Sequence, residues 1–137
     1  MEKTLILGAS SEIGKWIASG LDLVGKKYIL ASRSLANATY SISDYCSIEE
    51  LIDLFHTLYS QDITLDSIYF CPGTYTKSEI KDSEPDKWIN DFNVNLNSAY
   101  ILYRALTSTP FIGNHIKLIY IGSTASVSKP QKFSSYA

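Results

Sequence analysis

Cysteine is scarce in this chain. Only Cys46 and Cys71 occur in 137 residues, and their spacing matches neither a metal-ligand motif nor a redox pair. That excludes a disulfide scaffold and makes reduced thiols in a cytosolic protein the simple reading. Charge is also thin: charged residues make up 19%, the net charge is −2, and no basic or acidic block occurs. A nucleic-acid-binding surface and a polybasic membrane surface are both disfavoured. No apolar run is long enough to span a bilayer, and there is no internal repeat or low-complexity tract. Met1 leads almost directly into the first apolar run, so no signal peptide is expected and the expected location is cytoplasmic.

What is present is a soluble-type composition, 45% hydrophobic, long enough for one domain with a real core over residues 1–137. Short apolar runs alternate with amphipathic stretches. Strands are expected at Lys3–Leu7, Tyr28–Ala31, Thr39–Ser43, Ser67–Cys71 and Ile116–Ile121. A helix capped by Ser10 or Ser11 runs to about Leu23, with Ile13, Trp16, Ile17 and Leu21 on one side and Gly25 as its stop. Ser47 caps a second helix, with Glu50 as capping-box partner. Pro85 opens a long third helix reaching about Ser108, with Trp88, Phe92, Leu96, Ala99, Tyr103 and Leu106 as its main apolar stripe. Trp16, Phe55 and Trp88 are expected in the core. The alternation predicts an α/β, Rossmann-like doubly wound parallel sheet, strand order 3-2-1-4-5, with helices on both faces. A ligand crevice then lies beside the first strand's carboxyl end.

The first strand runs into Gly8-Ala-Ser-Ser-Glu-Ile-Gly14. Gly8 stands where the chain must turn sharply, and Gly14 where the helix must pack closely on the strand. Ser10, Ser11 and Ile13 lie between them at the helix N-terminus, whose N–H groups and positive dipole end suit a pyrophosphate. The usual dinucleotide fingerprint has three glycines; here Glu12 stands at the middle position. Facing solvent in the first turn, it would suit the dipole; facing inward, it would oppose an anion. A plain strand–helix turn is the competing reading.

The second strand ends in Ala31-Ser32-Arg33-Ser34, without the acid that accepts the ribose hydroxyls of NAD. Arg33 can pair with a 2′-phosphate, and Ser32 or Ser34 can add a hydrogen bond, which favours NADP with NAD possible. A solvated surface arginine is the alternative. Asp44 and Tyr45, after the third strand, can touch an adenine; Asp44 can equally be a turn residue.

Gly8 to Gly14, Asn95 within Asn93-Val-Asn-Leu96, Ser123 after the fifth strand and Tyr136 thirteen residues on resemble the short-chain dehydrogenase/reductase family, its compact single-domain branch most closely. The resemblance implies an oxidoreductase that interconverts a carbonyl and a secondary alcohol. Tyr136 would be the general acid/base, Ser123 would hydrogen-bond the substrate oxygen, and Asn95 would hold a water in a proton relay. A free tyrosine ionises near pH 10, so such a base needs a nearby cation, in this family a Lys four residues after the Tyr. The family also implies a small-molecule substrate and a homodimer or homotetramer. Asn95 falls beside Phe92 and Leu96, where a buried amide needs partners, and carbonyls exposed by a helix bulge would serve.

Two departures stand out. Of the family's Asn-Asn-Ala-Gly stretch, here Phe70-Cys71-Pro72-Gly73, only Gly73 matches, and the position of the Lys falls past Ala137. The expectation is a piece of a longer reductase, with little or no activity in the 137 residues by themselves. The alternative is a non-catalytic dinucleotide-binding or regulatory protein of the same fold.

Overall fold

A computed structural model describes residues 2–34, 38–73, 80–111 and 115–121. Five strands, β1 (Glu2–Leu7), β2 (Tyr28–Ser32), β3 (Tyr40–Ser41), β4 (Thr64–Phe70) and β5 (Lys117–Tyr120), form one sheet in the order β3-β2-β1-β4-β5. Every pairing is parallel, as expected. Helix α1 (Glu12–Leu23) joins β1 to β2, and α2 (Ile48–Ser60) joins β3 to β4. Helices α3 (Pro85–Phe92) and α4 (Ser98–Thr107), joined by a π turn over Asn93–Asn97, lie between β4 and β5. The first crossover runs toward β3 and the later ones back toward β5. Right-handed crossovers therefore put α1 on one face and α2 with α4 on the other.

The main core fills the α2/α4 face. Alternate strand residues Leu5, Leu7, Ile29, Ala31, Ile68 and Phe70 point into it. Leu51, Leu54, Phe55 and Leu58 of α2, Leu102 and Ala105 of α4, and Phe111 meet them. Phe55 is fully buried, as expected.

Helix ends follow their local chemistry. The Ser11 hydroxyl accepts the Gly14 N–H at 3.0 Å. At the other end of α1, Gly25 (φ 70°) donates to the Asp22 carbonyl at 3.1 Å and Lys26 to Leu21 at 2.9 Å, a Schellman ending that closes two orphan carbonyls. Ser47 accepts the Glu50 N–H, but the reciprocal half of the capping box does not form. The Glu50 carboxylate instead takes the Ser43 N–H at 2.8 Å and the Ser43 hydroxyl, which holds its pKa below the usual range. Ser47 N–H bonds the Asp44 carbonyl at 3.1 Å.

Three expectations are corrected. Strand β4 begins at Thr64, ahead of the expected Ser67, because Asp66 is accommodated as a bulge between the Lys3–Leu65 and Thr4–Ser67 pairs. Its carboxylate pairs with Lys26 and accepts from Ser67 at 2.8 Å, so an acid that reads as loop is satisfied inside the sheet. Trp16 is 76% exposed and Trp88 is also exposed, so neither tryptophan belongs to the core. The stripe expected to bury α3 and α4 is buried at Leu106 but carries exposed Trp88, Leu96 and Tyr103, while Asp91, Ser98, Leu102 and Ala105, outside it, face inward. Both helix faces carry apolar residues. Close approach to the sheet and α2 selects the face with small side chains, and the Ser98 hydroxyl there is satisfied by the Val94 carbonyl.

Gly20, midway along α1, has nothing within 4 Å of the position a Cβ would take. Gly20→Ala is therefore expected to stabilise the fold by about 0.5–1 kcal/mol, since it only removes glycine's excess freedom in the unfolded chain. A thermal melt that falls instead of rising would refute this.

Candidate functional site

Strands β1, β2 and β4 all end at one rim of the sheet, and a cavity of about 440 Å³ opens there. The size is that of a small-molecule site. Three walls meet around it. The first is the turn after β1, contributing Gly8, Ser10 and Ser11; the second is Arg33 beyond β2, with Ser43, Asp44 and Tyr45 beyond β3; the third is Cys71, Pro72 and Gly73 beyond β4, backed by Asn90 and Val94.

The turn is shaped by its glycines. Gly8 has φ 74°, and a Cβ there would stand 2.7 Å from the Pro72 nitrogen and 2.9 Å from its Cδ. A Cβ on Gly14 would stand 2.7 Å from the Gly8 carbonyl oxygen and 2.9 Å from Ala9 Cα. Gly14 therefore serves close helix–strand packing. Gly8 serves the turn, and what approaches it is Pro72, a neighbour that the sequence pattern does not reveal. Between the two, the first turn of α1 opens with backbone N–H groups that have no partner one turn earlier in the helix. Ser10 is exposed at the mouth. Glu12 lies outside the cavity, 82% exposed and paired with Lys15 at 3.5 Å, so it favours the helix dipole and does not oppose an anion.

The remaining candidates divide. Arg33 is exposed and lines the cavity. Asp44 lines it too, and its carboxylate accepts the Cys46 N–H at 2.8 Å, so it is both wall and turn residue. Tyr45 is 7% exposed, with its hydroxyl turned toward the Gly8 N–H at 2.9 Å. Burial pushes that phenol up to about 12 against the opposing pull of the Gly8 N–H and the Arg33 charge. Ser32 is buried and its hydroxyl donates to the Ser34 carbonyl, so it is not brought into the cavity. Ile13 and Gly14 lie behind the turn and do not line the cavity. Gly73 reaches it, and a Cβ there would meet Asn95 Oδ1 at 3.4 Å.

Asn95 sits inside the π turn, half-buried. The bulge re-aims the backbone: Ser98 N–H bonds the Asn93 carbonyl five residues back. That same carbonyl accepts the Cys46 thiol at 3.2 Å. Ser123 and Tyr136 lie outside the described residues. Ser43, Cys71, Pro72, Asn90 and Val94 also line the cavity, and the motif reading missed them. Asn90 and Val94, four apart on one helical face, carried a findable signal. The others reach the site because the parallel sheet brings the segments after β3 and β4 to the same rim. Burial raises the Cys71 thiol to about 11, so it stands in the wall as a neutral group.

Among the described residues no cluster of His, Cys, Asp or Glu can hold a metal ion, and no helix is long and apolar enough to cross a membrane.

No protein-family model matches the sequence, and no curated protein matches it. Solved structures do match. A short-chain dehydrogenase/reductase from Vibrio parahaemolyticus superposes with a TM-score of 0.81 at 24% identity, over 97% of this chain and 69% of that one. An aldohexose dehydrogenase from Thermoplasma acidophilum gives 0.82 at 20%, over 98% of this chain and 55% of that one. A short chain dehydrogenase from Leptospira borgpetersenii, solved with bound NAD+, gives 0.81 at 20%, over 98% of this chain and 58% of that one. The chain thus spans between 55 and 69% of the length of these three structures and shares their fold over that span.

Proposed function

We propose that this chain carries the dinucleotide-binding part of a short-chain dehydrogenase/reductase, an oxidoreductase that interconverts a carbonyl and a secondary alcohol with NADP(H). The observation that carries the reading is one cavity shared by the Gly8–Ser11 turn and Arg33, with Gly8 and Gly14 placed where side chains would clash. A helix N-terminus suits the pyrophosphate, and Arg33 at the end of β2 suits a 2′-phosphate through its planar fork. Asp44 and Gly73 would flank the adenosine. When bound, the nicotinamide supplies the hydride.

The chain's own part in the chemistry is proton handling. Ser123 would orient the substrate oxygen, Tyr136 would hold the proton that oxygen gains or loses, and Asn95 in its π turn would order a water behind them. The substrate is a small carbonyl or alcohol, the assembly a homodimer or homotetramer, and the location cytoplasmic. These assignments rest on the spacing of the residues and on the fold shared with the dehydrogenases above.

Titration of tryptophan fluorescence with NADPH and NADH tests the reading. NADPH is expected to bind more tightly. Arg33→Ala should weaken NADPH by roughly 10- to 100-fold, since charge-assisted bonds to a phosphate are worth about 1.5–3 kcal/mol, and leave NADH nearly unchanged. Equal loss for both nucleotides would remove the 2′-phosphate assignment; no binding of either would remove the whole reading.

A further inference from the structure

The Tyr45 hydroxyl stands where the walls of the cavity join. It accepts the Gly8 N–H at 2.9 Å and donates to the Ala31 carbonyl at 3.4 Å. Gly8 belongs to the phosphate turn, Ala31 lies two residues before Arg33, and Tyr45 itself follows Asp44. One phenol thus ties the turn after β1 to the end of β2 and to the segment after β3. Its own freedom is small: the ring sits edge-on to Phe70 with centroids 5.7 Å apart, and Phe70 packs on Tyr120 at 5.2 Å. Gly8 N–H also reaches the Ala31 carbonyl directly at 2.9 Å, so its proton is shared between two acceptors. Loss of the hydroxyl would leave that second bond and the ring packing in place. The contact therefore sets where the turn sits without being needed for the turn to exist.

We infer that Tyr45 is a positioning residue of the phosphate turn, holding the Gly8 backbone at a set distance from the Arg33 strand end so that the cavity accepts a nucleotide carrying both a pyrophosphate and a 2′-phosphate. The inference rests on the dinucleotide reading above. It differs from the expectation that Tyr45 touches the adenine, because the hydroxyl is turned toward the turn and the ring is committed to Phe70.

The test is Tyr45→Phe, which keeps the ring, titrated with NADPH, ADP and 2′-AMP. NADPH and ADP are expected to weaken roughly 5- to 10-fold, the scale of one buried hydrogen bond, while 2′-AMP, which has no pyrophosphate, stays within about twofold. Equal weakening of all three would mean that the hydroxyl supports the adenosine half they share and would overturn the inference, as would unchanged NADPH binding. Failure of the unaltered chain to bind NADPH or ADP would instead sink the dinucleotide reading, and the inference with it. Amide exchange compared between the two proteins gives an independent measure: the Gly8 N–H, left with the Ala31 carbonyl alone, is expected to exchange faster in Tyr45→Phe than in the unaltered protein, and equal rates would overturn the proposal.

Discussion

Gly8→Ala is expected to lower stability by about 3 kcal/mol and to cost at least 10-fold in nucleotide affinity. Two penalties add. Left-handed backbone costs a residue with a Cβ roughly 1–2 kcal/mol, and Gly8 has φ 74°. The new methyl would also stand 2.7 Å from the Pro72 nitrogen. That atom is backbone, held by β4, whose next residue Cys71 donates its N–H to the Leu7 carbonyl at 2.9 Å. It cannot yield without breaking the β1–β4 pairing at the rim, so overpacking adds a cost of the order of 1–3 kcal/mol. The affinity loss follows because a displaced turn would carry Ser10 and Ser11 away from their places in the cavity wall. Gly73→Ala is the control for stability alone, since Gly73 lines the cavity: its Cβ would meet only Asn95 Oδ1, at 3.4 Å, and a small effect on folding is expected. Chemical denaturation with nucleotide titration of both variants decides the matter. A Gly8→Ala protein as stable as the parent would mean that the turn is not built as described.

Phe55→Ala should cost about 3–5 kcal/mol, the range for deleting a fully buried aromatic ring. Phe55 has no exposed surface, lies on α2 at the centre of the core, and meets Phe111 edge-on with centroids 6.0 Å apart. Tyr59 also meets Phe111 edge-on, with centroids 5.8 Å apart. Phe111 follows α4, so the ring cluster is what clamps α2 to the end of α4. A domain of this size has roughly 5–15 kcal/mol in total, so the variant is expected to lose a large share of its stability. Urea denaturation followed by far-ultraviolet circular dichroism measures this directly. A loss below about 1 kcal/mol would show that the cluster is loosely packed and can collapse around the void.

Much of the architecture was legible because it is written in local periods. Strand and helix alternation predicts a parallel doubly wound sheet, and the observed order β3-β2-β1-β4-β5 follows from right-handed crossovers. Ser11, Ser47 and Gly25 act where local chemistry puts them. Of the cavity, the Gly8–Ser11 turn, Arg33, Asp44, Tyr45 and Gly73 were readable as strand-end residues. Ser32 was not separable from its neighbours by sequence, since alternation along a strand end depends on where the pleat stops. Its burial and its bond to the Ser34 carbonyl decide the matter.

The sequence by itself determined the elements, their order and the rim at which a ligand can sit, because those depend on hydrophobic period, capping chemistry and chain handedness. Only the tertiary structure decided which face of the long α3–α4 helix meets the sheet, that Asp66 can live in a strand, that Pro72 crowds Gly8, and that the Tyr45 hydroxyl turns toward the turn and not outward. Each of these is settled by a contact between residues dozens of positions apart, where distance and direction are set by how separate elements pack. No pattern within a window of neighbouring residues encodes such a distance.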